Sequence, residues 1–264
     1  MKKENPTLSP IFKEIINAWQ INEKIPTSDF NDSILKVIPS LETILNINKS
    51  YIHIMDLASM NFAYVSDSIQ NILGYSLATW KNASATIVMD IFHPEEVEIG
   101  NKILGIINQH ALQQNREQRP TFRYTTNFRM KHADGRYIKL LNQLVFLAST
   151  DKGAPHMMFS FATEISQLPQ VDGSICIISH YDNSSEQYET IYSSIFDNTG
   201  KEVLSSRECD ILILISNGLS NKKIAEKLDI SEYTVNDHRK NMLEKTNTSN
   251  ICELFAFAIK RGII

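Results

Sequence analysis

The chain is poor in several features that would announce a function. Only three of its 264 residues are cysteine, namely Cys176, Cys209 and Cys252. They are odd in number and form no C-x-x-C pair, which argues against a disulfide framework and a cysteine zinc site. Reduced thiols in a cytoplasmic protein are the expectation. No cysteine precedes position 176, which excludes a photoactive flavin cysteine there. No stretch approaches the ~18 apolar residues of a membrane span. The start, MKKENPTLSP, has two lysines with no apolar run behind them, so neither a signal peptide nor a membrane partner is expected. Walker loops, G-x-S-x-G and H-E-x-x-H are all missing, and the carboxylates are scattered, so no enzyme is expected. His53, His110, His132, His156 and His180 show no paired ligand spacing, so no metal is expected either. Charge of one sign is lacking as well: 26 Lys/Arg against 30 Asp/Glu give a net of −4. A polyanionic partner would have to be read by a local patch.

What is present is an ordinary globular composition, 42% hydrophobic and 21% charged. It excludes a disordered chain, a fibrous repeat or a small stapled scaffold. At ~150 residues per domain the length suggests two domains. Residues 1–200 carry a net of −5 and residues 201–264 a net of +1, and the texture changes at the same place. The turn-forming cluster Asn198-Thr199-Gly200 marks the boundary. The reading divides the chain into a helical segment 1–48, a mixed unit 49–168, a hairpin or linker 169–200 and a helical domain 201–264. In the first segment, Ile11, Ile15, Ala18 and Trp19, then Ile34, Leu35, Ile38, Leu41, Ile44 and Leu45, follow a helical rhythm broken at Pro39. A cap on the next domain and a dimerisation helix are both open.

The mixed unit opens with strands at Tyr51–Asp56 and Phe62–Val65, and a helix is expected over 94–114. Phe122, Tyr124, Phe128 and Met130, with Thr126 among them, alternate with Arg123, Thr125, Asn127, Arg129 and Lys131. That period of two gives a strand with one apolar face, and Asp134-Gly135 reads as a tight hairpin turn. Strands follow at 136–148 and 156–164, the latter with Met157, Phe159 and Phe161 on one face. The sum is an α+β unit with helices on one face of an antiparallel sheet. Ser174–Tyr181 and Tyr188–Phe196 read as a further hairpin around Asp182-Asn183-Ser184-Ser185, adjoining the sheet or bridging the domains.

"NILGYS" (Asn71–Ser76), "IFHPEE" (Ile91–Glu96) and "RMKHADGRYIKL" (Arg129–Leu140), in this order and spacing, resemble a PAS domain. The resemblance implies a sensory or dimerising module. It leaves the cofactor unknown, with a small-molecule ligand as one option. His93 then reads as a backbone brace rather than a haem ligand, and the Phe/Tyr stripe at 122–130 as core that would border any cavity.

Four helices are expected in 201–264. The first is opened by Ser205 with Glu208 as a capping box and stopped by Gly218. Its inner stripe is Cys209, Leu212 and Ile215. The second runs from Ser220 to about Leu228 with Ile224, Ala225 and Leu228 inward. The third runs from Ser231 to about Lys245, with Val235, His238 and Met242 along one face. The fourth starts near Ser249, carries Ile251, Leu254, Phe255, Ala258 and Ile259, and ends before Gly262. Two helices joined by a short turn, the second longer, form a helix-turn-helix. Tyr233, Asn236, Asp237, Lys240 and Glu244 share the outward face of the third helix, where a major groove would lie. Asn236 can pair with adenine, Lys240 can reach guanine, and Asp237 can accept from cytosine. Lys222, Lys223, Arg239 and Lys245 suit phosphates. Six basic and five acidic residues over 220–245 make a weak electrostatic footprint. A four-helix protein-interaction module is therefore open on these grounds alone.

Leu204–Lys245 closely resembles the LuxR/NarL-type helix-turn-helix domain of bacterial transcription regulators. The resemblance rests on Arg207-Glu208, the run Gly218–Ala225, Ile230–Val235 and His238. It implies base reading by Asn236, Asp237 and Lys240 and backbone contacts around Lys222, Thr234 and His238. It also implies a homodimer on double-stranded DNA, with contact to RNA polymerase. Where Asn236 stands the family often has lysine, where Thr246 stands leucine, and where Asn250 stands arginine. The phosphoacceptor receiver domain common in such regulators is not expected here, for the early acidic pair and βα alternation are missing. The alternative is a regulator whose degenerate helix-turn-helix binds protein instead of DNA.

Overall fold

The computed structural model describes residues 38–149, 154–167, 173–196 and 202–260. The helical rhythm at 11–35, the boundary cluster 198–200 and Gly262 lie outside them. Helix α1 (Ile38–Ile47) leads into strands β1 (Ser50–Asp56) and β2 (Asn61–Val65). Glu42 on α1 accepts backbone N–H bonds from Asp67 (2.8 Å) and Ser68 (3.0 Å), which ties that helix to the turn after β2. Three short helices follow, α2 (Ile69–Leu73), α3 (Leu77–Lys81) and α4 (Thr86–Ile91), and then the long α5 (Val97–Gln113). Strands β3 (Phe122–Lys131), β4 (Tyr137–Ser149) and β5 (Pro155–Glu164) complete the mixed unit.

Each boundary has a local cause. Gly74 ends α2 in the left-handed region at φ +77°, and Ser76 caps α3 by accepting the Thr79 N–H. His93 Nδ1 accepts the Glu95 N–H at the 3-10 turn Pro94–Glu96, while its own N–H donates to Arg129 O. His93 therefore braces the backbone, as expected. The Glu96 carboxylate takes the Arg129 backbone N–H and Nε, both at 2.6 Å, and locks the turn to β3. Along α5, Ile99, Ile103, Ile107 and Ala111 recur every four residues and are all buried against the sheet.

The strands form one antiparallel sheet in the order β2-β1-β5-β4-β3-β6-β7-β8. The first five, with helices inserted between β2 and β3, are the PAS-like α+β arrangement. Strands β6 (Ser174–Asp182), β7 (Gln187–Phe196) and β8 (Glu202–Leu204) extend it. Thus the hairpin read at 174–196 adjoins the sheet through β3 and reaches the C-terminal helices through β8. On the polar face of β3, Thr125 and Asn127 are buried. Strand β3 is interior rather than at an edge, and Asn127 is satisfied there by Ile175 N–H and Gly173 O. The turn at Asp134-Gly135 is also longer than a two-residue hairpin, for the last strand pair is Lys131↔Tyr137.

Two apolar clusters fill the unit. One lies under α5 and joins Phe122, Tyr124 and Phe146 to Cys176 and Phe196, which shows that β6 and β7 share its core. The other surrounds Trp80 with Leu73, Ile91, Met130 and Leu140. The Phe/Tyr stripe is mainly core, as expected. Between sheet and helices lies a cavity of about 200 Å³, bordered by Phe128 and Met130 but not by Phe122 or Tyr124. On β5 it is Met158 and Ser160 that line it, while Met157, Phe159 and Phe161 take the other face.

Candidate nucleic-acid interface

Four helices follow β8: α6 (Ser206–Ser216), α7 (Asn221–Leu228), α8 (Glu232–Thr246) and α9 (Ile251–Lys260). Their starts are written in the sequence. Ser205 accepts the Glu208 N–H and Glu208 returns to the Ser205 N–H, a complete capping box. Ser220 caps α7 through the Lys223 N–H, and Ser231 caps α8 through the Thr234 N–H at 3.0 Å. Gly218 at φ +79° lets the chain turn after α6. The link from α7 to α8 is Asp229–Ser231, with Asp229 in the left-handed region, which aspartate tolerates better than most residues. Cys209, Leu212, Ile224, Ala225, Val235, Met242, Leu254 and Ala258 close the core, joined by Leu204 of β8.

Core packing fixes which side of α8 faces out. Val235 and Met242 are fully buried, so Tyr233, Asn236, Asp237, Lys240 and Glu244 are left exposed together. Tyr233 is 74% exposed, unusually open for a large ring. Lys222 on α7 is exposed, whereas Thr234, His238 and Arg239 are half-buried along the flank of α8. The Thr234 hydroxyl pairs with Ser231 at 2.8 Å.

Besides Thr234, three of the expected contact residues already have partners within the domain. Asn236 Oδ1 accepts from Asn221 Nδ2 at 2.6 Å, and Arg239 Nη1 donates to Asn221 Oδ1 at 2.9 Å. Asn221 therefore bridges the first turn of α7 to two residues of α8. Sequence reasoning passed over it, because a residue just inside a capped helix start gives no signal of a partner fifteen positions away. Lys245 lies at the far end of α8, and its Nζ sits 2.9 and 2.8 Å from the two oxygens of buried Glu208. Its ammonium ties α8 to the capping box of α6. Lys240 stands free apart from a loose pair with Glu244 at 3.8 Å.

A short capped helix therefore crosses behind a longer one whose outer face carries amide, carboxylate, ammonium and phenol groups. Such a face can donate to and accept from base edges, and the flank can meet phosphates. Among the described residues, no group of three or more His, Cys, Asp and Glu could hold a metal, and no helix is long and apolar enough to cross a membrane.

Residues 202–258 match the family described as bacterial regulatory proteins, luxR family. The oxygen regulatory protein NreC of Staphylococcus carnosus (strain TM300) is 34% identical over 84 residues, which cover 28% of this chain and 39% of that one. The nitrate/nitrite response regulator protein NarP of Escherichia coli (strain K12) is 46% identical over 61 residues, 23% of this chain and 28% of NarP. The chain thus spans well under half the length of these relatives. Among solved structures, VqmA of Vibrio cholerae is 17% identical with a TM-score of 0.33, covering 84% of this chain and 88% of that one. The N-terminal domain of a diguanylate cyclase with PAS/PAC sensor from Marinobacter aquaeolei is 22% identical with a TM-score of 0.35, covering 45% and 97%. With its capped helices, its short α7–α8 turn and this family match, the C-terminal domain is a LuxR-type helix-turn-helix domain set behind a PAS-like α+β unit.

Proposed function

We propose that this protein is a bacterial DNA-binding transcription regulator. The observation that carries the reading is the outer face of α8, where Asn236, Asp237 and Lys240 stand exposed together on a helix fixed by its core. In the reading, α8 enters the major groove, Asn236, Asp237 and Lys240 meet base edges, and Lys222, Thr234, His238 and Arg239 meet the backbone. The α+β unit senses a signal or sets the geometry of a homodimer. A two-fold dimer doubles the thin basic footprint and calls for half-sites about one DNA turn (~34 Å) apart. Contact with RNA polymerase and a cytoplasmic location belong to the same proposal.

The test is selection of bound duplexes from a randomised pool by the full chain, followed by binding at several salt concentrations. A near-palindromic motif and a log–log salt slope near −0.9 per phosphate contact are expected. Absence of both would overturn the reading. It would favour the second one, in which the helix-turn-helix binds protein. That alternative draws support from Lys240 and Lys245, which both face carboxylates of the same domain.

A further inference from the structure

Asn221 does more than join two helices, because the chemistry of its partners fixes which end of each amide faces which. An asparagine side chain carries a carbonyl oxygen that accepts and an amino group that donates. Arg239 is always charged and can only donate. Its Nη1 lies 2.9 Å from Asn221, so the Asn221 atom facing it has to be the oxygen. The Asn221 amino group then faces Asn236 at 2.6 Å, and the Asn236 atom that meets it has to be an oxygen as well. The charge on one side chain thus sets the polarity of two amides in series.

The network is well anchored. Asn221 and Arg239 are half-buried, which strengthens their bond relative to one in open water. Asn221 opens α7 behind the Ser220 cap, and Arg239 stands one turn after the fully buried Val235. Asn236 is exposed, and its Nδ2 keeps both hydrogens free of partners among the described residues. With Oδ1 turned toward α7, the group that Asn236 offers outward is the amino group.

Base edges in the major groove differ in what they accept. Guanine presents two neighbouring acceptors, N7 and O6, and thymine presents one, O4. Cytosine presents a donor, its N4 amino group. Adenine presents one of each, and its bidentate pair with asparagine needs Oδ1 on N6 and Nδ2 on N7 together. Turning Oδ1 onto N6 competes with the bridge to Asn221. A free asparagine can choose adenine, whereas Asn236 is held as a donor.

We infer that Asn221 sets the base preference of this helix-turn-helix at one position. Bridged to Arg239, it presents Asn236 to DNA as a hydrogen-bond donor, which selects guanine or thymine over adenine and cytosine. Asn221 is a positioning residue, since it acts through Asn236. The inference rests on the reading of α8 as the helix that enters the major groove.

The experiment uses the full chain on duplexes that carry all four bases at each position of the selected site. The position read by Asn236 is the one whose preference disappears in Asn236→Ala. Wild type is expected to favour guanine or thymine there over cytosine by about tenfold. Asn221→Asp is the decisive variant. It keeps the acceptor for Arg239 and replaces the donor facing Asn236 with a second acceptor. The Asn236 amide should then turn over, present Oδ1 to the groove and shift the preference at that position toward cytosine and adenine. An aspartate in the first turn of a helix is favoured by the helix dipole, so the fold should hold. Its added charge weakens binding to every duplex alike, which leaves the ratio between bases as the readout. Asn221→Ala removes both bonds and should broaden the preference to admit adenine, and it serves as the second variant if Asn221→Asp does not fold. The inference is overturned if wild type favours adenine or cytosine at that position, or if Asn236→Ala leaves every position unchanged. It is also overturned if the Asn221 variants lower affinity without moving the base ratio, which is what a merely structural role would give. Selective binding with an unmoved ratio sinks this inference alone, whereas wild type without selective binding sinks the regulator reading and this inference with it.

Discussion

Lys245 and Glu208 close a loop between the last turn of α8 and the first turn of α6. The carboxylate that completes the Ser205 capping box also receives the lysine ammonium at 2.8 and 2.9 Å. Glu208 is 2% exposed, so its carboxylate oxygens are satisfied inside the domain by these partners. Glu208→Ala should destabilise the C-terminal helices by about 2 kcal/mol, combining a lost cap with a lost ion pair. Lys245→Ala should cost less, under ~1 kcal/mol, because that side chain is half in water. Amide hydrogen exchange over α6 and α8 reads both. Equal protection in wild type and Glu208→Ala would refute the role.

The same pair separates two kinds of lysine. Lys245 is engaged, whereas Lys222 is exposed and free of any ion pair among the described residues. Lys222→Ala should weaken DNA binding uniformly across sequences and reduce the salt slope by about 1. Lys245→Ala should leave the slope unchanged. A slope change for Lys245→Ala would return that residue to the phosphate contacts.

Lys240 is expected to read a base. Lys240→Ala should cost about 1–3 kcal/mol on the selected site and relax preference at one position only. Asn221→Ala should release Asn236 and Arg239 from their shared bridge, broadening specificity while the fold stays intact. Binding to a single-substitution duplex library measures both, and an unchanged profile for Asn221→Ala would sink the bridge.

Acid should loosen the α+β unit through His53. Its folded pKa is about 4 and the ordinary value is about 6.5. The unfolded chain therefore binds the proton first as pH falls. Stability contributed by the neutral ring is complete above about pH 6.5 and is lost as pH drops toward about 4, at no more than ~1.4 kcal/mol per pH unit. His53→Phe should flatten that part of a stability-against-pH curve, followed by urea titration. A curve that keeps its slope in His53→Phe would place the titration elsewhere.

Gly74 offers a test of a close approach. At φ +77° an added Cβ would stand 2.6 Å from His132 Nε2, while Gly135, at φ +95°, has nothing within 4 Å. Gly74→Ala should destabilise by about 2–3 kcal/mol and Gly135→Ala by about 1 kcal/mol, the backbone strain alone. Equal Tm losses would show that the His132 contact yields freely.

What could be read from the sequence was local. Ser205, Ser220 and Ser231 signal their helices within three residues, and Val235 with Met242 orients α8 by helical period. The α+β pattern over 51–164 was legible from alternation and from the turn at Asp134-Gly135. What could not be read depends on residues far apart in the chain. The burial of Asn127 follows from β6 pairing with β3, about fifty positions away. The engagement of Lys245 follows from Glu208, 37 positions upstream. The cavity wall draws on both sides of strand parity and three helices, so a one-residue register error would have replaced most of it.

The eighth strand has a mechanical meaning. Leu204 pairs with Ile195 at the sheet edge and also sits in the core of the C-terminal helices, and the Ser194 hydroxyl donates to its carbonyl. The two halves are thus riveted, with backbone hydrogen bonds and a shared apolar residue at the joint. A torque applied to the sheet would reach α6 through that rivet. To swing free, the helices would first have to peel a strand.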